Sequence, residues 1–200
     1  MARGESLPRR RRPEMATLSV LRFSTIGGAA TALGSLRALT ATGKFASRGL
    51  ALVSWEPASR VPSLRPIRLP QTMVPMGGGF WSLLSIHLFQ LPLAVATAGL
   101  PSGSSHCSLA DLGIRDDFLR TVRDRVTPGT SALFVLTDDA TVDPIIRLLQ
   151  HLAFTVVSTS LSTRQVEALH FGFGAGPLAD GERDDPLAGP PVQGTWPTLR

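Results

Sequence analysis

Two pairs of neighbouring aspartates come closest, by type and spacing, to the residues of a reactive site. Asp116 and Asp117 open a predicted helix, and Asp138 and Asp139 follow a predicted strand. Paired carboxylates can hold a cation or divide the roles of general acid and base. The same residues suit structural positions, because negative charge stabilises the first turn of a helix and aspartate is common in turns. We therefore interpret both pairs as structural.

The histidines and the cysteine lack the spacing of a catalytic or metal-binding motif. His87, His106, His151 and His170 form no HExxH pair, and neither a GxSxG elbow nor a Walker loop occurs. Cys107 stands alone, which excludes an intrachain disulfide and a zinc site of several cysteines. We predict no catalytic residue, no cofactor and no metal. An enzyme built from the scattered aspartates and histidines is the alternative to this non-enzymatic interpretation.

Charge is distributed unevenly along the chain, whose formal net charge is +5. Residues 1–14 contain five arginines and two glutamates, residues 15–110 contain a single acidic residue, and residues 111–200 are net acidic. A protein that binds nucleic acid concentrates positive charge on one folded face together with base-reading side chains. The observed distribution favours an anionic membrane surface instead, and we predict no nucleic-acid partner.

The two ends of the sequence lack the pattern of folded elements. Residues 1–14 are predicted to form a disordered basic extension ahead of a better-patterned sequence that begins at Met15. Residues 172–200 are rich in Gly, Pro and Asp and have no apolar periodicity, so they are predicted to form a disordered tail.

The segment 15–58 has the pattern of a β-α-β unit, the first half of an α/β domain. Its strands are predicted at residues 16–23 and 50–55, and Ser24 is placed to cap the helix between them. Residues 59–72 are rich in Pro and Arg and are predicted to be a linker.

The segment 111–171 has the pattern α-β-α-β-α, the second half of the domain. Its strands are predicted at residues 131–137 and 154–158, and each follows a helix with one apolar face. The last helix has a specific start signal, because Ser162 and Gln165 have the spacing of a capping box. The two halves together predict an α/β (α+β) fold with a ferredoxin-like four-stranded sheet and helices.

A hydrophobic, glycine-rich helical hairpin that supplies a transmembrane helix is predicted to interrupt this domain at residues 73–110, which carry no charged side chain. Pro92 divides it into two arms, and each arm is short for a bilayer of roughly 30 Å, which requires about 20 apolar residues per helix. The halves of one sheet must lie on the same side of a membrane, so the hairpin is predicted to return to the side it left. The hairpin residues are Gly77, Gly78, Gly79, Phe80, Trp81, Pro92, Ala94, Ala98, Gly99 and Gly103.

The hairpin also predicts partners and a location. Ala94 and Ala98 stand four residues apart, as Gly99 and Gly103 do, and this spacing of small residues allows helices to self-associate in lipid. His87 is a candidate polar site within the membrane, because an ionisable group there is costly. Arginines at 60, 65 and 68 predict an inner (cell) membrane location with the α/β domain facing the cytoplasm.

Several of these stretches match a known family. GGGFWSLL, the proline-centred apolar segment, SLADLGIRDDFLRTVRDRVTPGTSALFVLTDDATVD and STSLSTRQVEAL resemble the bacterial membrane-protein family known as domain of unknown function 1269. MATLSVLRF and ALVSW look like the first two strands of that family, so the resemblance covers residues 15–169. The resemblance implies a membrane-bound protein with a glycine-rich hairpin and no established activity, and it transfers no catalytic or binding residue.

The leading interpretation is therefore a membrane-associated structural or interaction protein without catalytic activity. Its predicted partners are the lipid bilayer and further copies of itself, which it contacts through the hairpin, and no small-molecule substrate is indicated. A soluble ligand-sensing or oligomerising domain of ferredoxin-like shape is the alternative. A pair of soluble helices buried in an oligomer would then take the place of the membrane hairpin.

Overall fold

Five strands and five helices occur in the part of the chain that the computed structural model describes, namely residues 15–41, 47–69, 76, 78–90, 108–138 and 142–173. The strands are β1 (Ala16–Phe23), β2 (Gly49–Ser54), β3 (Ser63–Ile67), β4 (Ser131–Asp138) and β5 (Phe154–Leu161). The helices are α1 (Gly28–Ala41), α2 (Gly78–Phe89), α3 (Asp116–Arg125), α4 (Val142–Leu149) and α5 (Thr163–Phe173).

The strands form one antiparallel sheet in the order β3-β2-β4-β1-β5. β1 lies between β4 and β5, so that Val20 is opposite Phe134 on one side and Val157 on the other. The units β1-α1-β2 and β4-α4-β5 therefore interleave, and neither half of the chain completes a sheet without the other.

The inner strands are buried on both faces because apolar residues occupy most of their positions. Every residue of β1 except Arg22 is buried, and every residue of β4 except Asp138 is buried. Continuous apolar strands of this kind require cover on both sides. The edge strands β3 and β5 are only partly buried along their lengths.

Helices supply this cover on both faces of the sheet. α1 and α4 pack on one face, whereas α2, α3 and α5 pack on the other. In the core between the sheet and the helices α2, α3 and α5, Phe80 of α2 contacts the ring of Phe173 with a centroid separation of 6.1 Å. Trp81 contacts the ring of Phe134 with a centroid separation of 6.5 Å. Each buried aromatic side chain removes on the order of 150–250 Å² of surface from water. α2 is thus a major part of this core.

The predicted fold class, a ferredoxin-like four-stranded sheet interrupted by a hydrophobic helical hairpin, is wrong. β3 adds a fifth strand inside the segment that was predicted to be a linker. The described residues contain no hydrophobic helical hairpin, because α2 lays its apolar side chains on the sheet. Residues 91–107, which include most of the predicted second arm, lie outside the described residues.

The predictions of a transmembrane helix and of a glycine-rich hairpin are wrong as well. α2 has twelve residues, and none of the described helices has the length and apolarity needed to cross a bilayer. A helix inside a protein core and a helix inside a membrane are both apolar all round, so a charge-free sequence does not distinguish them. Here the neighbouring surface is the apolar face of the sheet, which α2 covers.

The start of α1 is stabilised by a distant strand and not by Ser24, which was the predicted cap. The helix begins at Gly28, and the Ala29 N–H donates to the Ser131 Oγ at 3.0 Å. The same hydroxyl donates to the Thr25 carbonyl at 2.6 Å. The first residue of β4 therefore fixes the N-terminus of α1.

The start of α5 is stabilised by Gln165. The Ser162 N–H donates to Gln165 Oε1 at 2.7 Å, and the Ser162 hydroxyl donates to the same oxygen at 2.9 Å. The observed part of the capping box is therefore the one in which the Gln165 side chain accepts hydrogen bonds from Ser162. Both bonds depend on the same amide oxygen of Gln165.

The two hydrogen bonds from Ser162 to Gln165 predict that Gln165→Ala is less stable than Ser162→Ala. We expect Gln165→Ala to lower the free energy of unfolding by about 1 kcal/mol, because both bonds are lost. Ser162→Ala should lower it by less, because the backbone bond to Gln165 remains. Urea denaturation of the two variants measures the difference, and a larger loss for Ser162→Ala would contradict the geometry.

Gly113 predicts a second stability difference. It has a φ of +80°, and an added Cβ would lie 2.5 Å from the Gln165 amide group. We expect Gly113→Ala to lower the free energy of unfolding by about 1–2 kcal/mol, because the backbone is strained and a displaced Gln165 loses its cap bonds.

Gly34→Ala is the matched control for Gly113→Ala. Gly34 lies inside α1, and nothing lies within 4 Å of an added Cβ. This variant should raise the free energy of unfolding by roughly 0.5–1 kcal/mol, since alanine favours the helix. Denaturation curves that shift in the same direction for both variants would contradict the prediction.

Candidate functional site

Three charged or titratable side chains meet at one end of the sheet, and we call them the Arg48 cluster. Arg48 directly precedes β2, Asp138 ends β4 and His170 lies in the last turn of α5. Arg48 Nε donates to Asp138 Oδ1 at 2.6 Å, and Arg48 Nη1 lies 3.2 Å from His170 Nε2. The Arg48 side chain is 10% exposed and the Asp138 side chain 48%. The cluster is therefore closed towards the core and open at its carboxylate.

Backbone bonds position Arg48 for these contacts. Its N–H donates to the Leu136 carbonyl at 2.8 Å, which continues the pairing of β2 with β4 by one residue. Its carbonyl accepts a bond from the Met76 N–H at 3.2 Å. The guanidinium group is thus held beside the end of β4, where Asp138 lies.

The chemistry of the Arg48 cluster suits a structural link between the sheet and α5. A guanidinium group only donates hydrogen bonds, so His170 Nε2 can take part in this contact only as the acceptor. Arginine keeps its proton at physiological pH. A cation that cannot titrate therefore binds both the carboxylate and the imidazole, which suits the joining of the sheet to α5 better than the transfer of protons.

The first aspartate pair lies where the sequence predicts it, in the first turn of α3. Arg115 Nη2 lies 3.2 Å from Asp117 Oδ2, and Asp117 Oδ1 accepts a bond from the Phe118 N–H at 2.9 Å. Over the residues that the structure describes, no three His, Cys, Asp or Glu side chains are grouped so that they could hold a metal ion. Asp139, His106 and Cys107 lie outside the described residues.

The residues predicted for the membrane hairpin are divided between the core and the undescribed part of the chain. Gly78, Gly79, Phe80 and Trp81 begin α2, and Phe80 and Trp81 are 0% and 1% exposed. These two rings pack against the sheet and α5. The others, outside the described residues, are Gly77, Pro92, Ala94, Ala98, Gly99 and Gly103.

His87, the candidate polar site, lies on the exposed side of α2. Its Nδ1 lies 2.9 Å from the Leu83 carbonyl within the same helix. The carbonyls of His87 and Leu88 accept bonds from Arg123 Nη2 and Nε at 2.7 and 3.0 Å. Arg123 therefore caps the C-terminus of α2 and joins α3 to it.

Two hollows lie along β5 beside α3, and we call them together the β5 groove. The first has a volume of about 390 Å³ and the second of about 350 Å³. Four consecutive residues of β5, Val157 to Ser160, line the first hollow with Arg115, Asp117, Phe118 and Thr121. Thr155 lines the second hollow with Arg22, Asp124, Arg125 and Thr127.

Among the residues that the structure describes, no strand pairs with the outer edge of β5. β5 pairs with β1 on one side and ends the sheet on the other. Alternate residues of such a strand direct backbone N–H and C=O groups outward. Because four successive residues line the first hollow, the backbone as well as the side chains borders it.

The two edges of the sheet differ in composition. β3 has five residues and carries Arg65 and Pro66, both exposed. A charge and a proline on a short edge strand discourage pairing with another chain. β5 has eight residues, FTVVSTSL, with neither a charge nor a proline.

Comparison with known proteins adds a family to this geometry. A family model described as "Protein of unknown function (DUF1269)" matches residues 75–174, which include α2, α3, β4, α4, β5 and α5. No curated protein matches the chain, and no solved structure matches it. Most of the β5 groove, and two residues of the Arg48 cluster, fall inside the matched region.

The Arg48 cluster predicts a loss of stability when the guanidinium group is removed. We expect Arg48→Met to lower the free energy of unfolding by about 1.5–3 kcal/mol, because bonds to a charged partner are lost while the apolar stem is kept. The half-exposed Asp138 gains hydration, which holds the loss near the lower value.

Arg37→Met is the control for Arg48→Met. Arg37 is exposed on α1, and its replacement should change the free energy of unfolding by less than about 0.5 kcal/mol. Urea denaturation measures both variants. Equal effects at the two positions would show that the Arg48 cluster contributes nothing to stability.

Proposed function

Because the chain belongs to the DUF1269 family of proteins of unknown function, we propose its role from the structure: it is a non-enzymatic interaction domain that pairs with a β-strand of another polypeptide. The pairing takes place at the open edge of β5. The observation that carries the proposal is the β5 groove, which is bordered by the backbone of Val157 to Ser160 on one side and by α3 on the other.

Strand addition at a sheet edge is a common way to bind an extended chain. Backbone hydrogen bonds supply affinity, and hollows beside the edge select side chains. β5 offers eight residues for pairing, and α3 stands beside it as one wall of the groove. A groove between an edge strand and a helix has the shape that such a partner strand requires.

The composition of β5 supports an edge that binds a partner strand. Natural proteins protect unused edges with charges, proline or short strands, because an open edge invites aggregation. β3 has these features and β5 does not. Valine and threonine also favour extended structure, so β5 suits pairing on both of its sides. The difference between the two edges is expected when only one of them has a partner.

The absence of catalysis is part of the proposal and rests on the chemistry of the described side chains. Asp138 and His170 are the carboxylate and imidazole that come together, and both are held by Arg48. In the β5 groove, Asp117 is 66% exposed and pairs with Arg115, which is 77% exposed. Such groups keep their hydration and suit recognition of a charged partner.

Association with a lipid bilayer at the inner membrane, with the α/β domain facing the cytoplasm, stays a separate prediction. It depends on residues 91–107, which lie outside the described residues, and on the arginines at 60, 65 and 68. The proposal for β5 does not require it, because the β5 groove is formed by other elements.

Photo-crosslinking in cells tests the use of the β5 edge. A photoreactive amino acid replaces Ser158 on β5 or, as the matched control, Ser63 on β3, and both serines are exposed on edge strands. We expect the probe at 158 to form a covalent adduct with a polypeptide and the probe at 63 to form none. Mass spectrometry identifies the polypeptide.

A second variant ties the adduct to strand pairing. Ser160→Lys places a charge on the same edge, where an incoming strand would remove it from water. It should reduce the adduct of the 158 probe severalfold while the thermal melt stays unchanged. Equal adducts at 158 and 63, or an adduct that Ser160→Lys leaves intact, would refute the proposal.

A further inference from the structure

Resting on the proposed function, we infer that the partner strand is β5 of a second copy of this chain, paired antiparallel about a two-fold axis. The two sheets then form one sheet of ten strands, in which α3 of one copy lies beside α3 of the other. β3 ends this sheet on both sides. Three observations lead to this arrangement: the sequence of β5, the direction of α3 and the charges of α3.

The sequence of β5 suits pairing with itself. A two-fold axis between the two copies of Val157 places Phe154 opposite Ser160 and Thr155 opposite Thr159, so that opposed side chains lie on the same face of the sheet. No like charges oppose each other, because the strand has none. The same patch serves both copies, as closed two-fold dimers require.

The direction of α3 follows from the residues that line the β5 groove. Asp117, near the start of α3, borders the hollow of Val157 to Ser160. Arg125, at the end of α3, borders the hollow of Thr155. α3 therefore runs antiparallel to β5, and a two-fold axis perpendicular to the sheet places the two α3 helices side by side and antiparallel.

The charges of α3 are complementary in this arrangement. The first turn carries Asp116 and Asp117, and the last turn carries Arg123 and Arg125. In antiparallel helices the acidic turn of one copy faces the basic turn of the other, and the helix dipoles are opposed as well. Arg123 already binds the carbonyls at the end of α2. Arg125, which is exposed, is therefore the residue that faces Asp117 of the second copy.

The other edge of the sheet fits less well as the partner. Pairing of β5 with β3 of a second copy would repeat without closure and produce a filament. Arg65 and Pro66 on β3 oppose that pairing, since they introduce a charge and remove a backbone donor. The closed pair of β5 strands leaves only these protected edges free.

Charge reversal in separate copies tests the two-fold arrangement. The molar mass of the full chain is measured by sedimentation and light scattering for the wild type, Asp117→Arg, Arg125→Asp and an equimolar mixture of the two variants. We expect a dimer for the wild type. Each variant alone should dimerise at least tenfold more weakly, because two contacts between like charges replace two ion pairs.

Mixing the two variants should restore the dimer. In a mixed pair the cation introduced by Asp117→Arg in one copy faces the carboxylate introduced by Arg125→Asp in the other. The second contact keeps its native charges, so both contacts are favourable. Arg37→Asp, which makes the same charge change as Arg125→Asp on exposed α1, should leave the dimer intact. Thermal melts of all variants show that each is folded.

The outcomes separate this inference from the proposed function. A mixture that stays monomeric, or a wild-type chain that is monomeric throughout, overturns the two-fold arrangement. If the probe at Ser158 then still forms an adduct with a different polypeptide, the β5 edge is an interaction site for that partner and the proposed function stands. If the probe forms no adduct either, both fail.

Discussion

The inner strands β1, β2 and β4 carry apolar side chains on both faces, so the sheet is stable only when helices cover it twice. The crossover helices within the two interleaved β-α-β units can provide only one of these layers. α1 and α4 fill it. The second layer comes from α2, α3 and α5, and the charge-free stretch of the sequence is apolar because its first helix lies in that layer. The composition that resembles a membrane segment is thus explained, as far as α2 extends, by the second face of the sheet.

Periodicity and local signals were sufficient to locate most elements. The apolar run of β1 gave its full span, Ala16 to Phe23, and the spacing of Ser162 and Gln165 located the start of α5. β3 was missed because an edge strand needs few apolar residues, and Arg65 and Pro66 resemble a linker. The hairpin prediction failed because hydrophobicity alone does not reveal which apolar surface a helix meets.

The candidate sites depend on contacts between residues that are far apart in the sequence. Arg48 is 90 residues from Asp138 and 122 residues from His170, so no local spacing could have joined them. A lone arginine directly before an apolar strand was the only signal. The edge position of β5 follows from strand order, which the periodicity of one sequence does not contain. Arg123 adds a link between the sites and the core, since it fixes α3, a wall of the β5 groove, to the end of α2.

The position of β1 between β4 and β5 affects how the nascent chain can fold during translation. During translation β1 leaves the ribosome well before both of its neighbours, because β4 begins only at Ser131 and β5 at Phe154. At about 5–20 residues per second, β1 waits roughly 5–20 s for β4 to be synthesised. Its apolar residues have no sheet to join in that interval, so this chain is expected to depend on chaperones while it is nascent and to fold after most of it has been made.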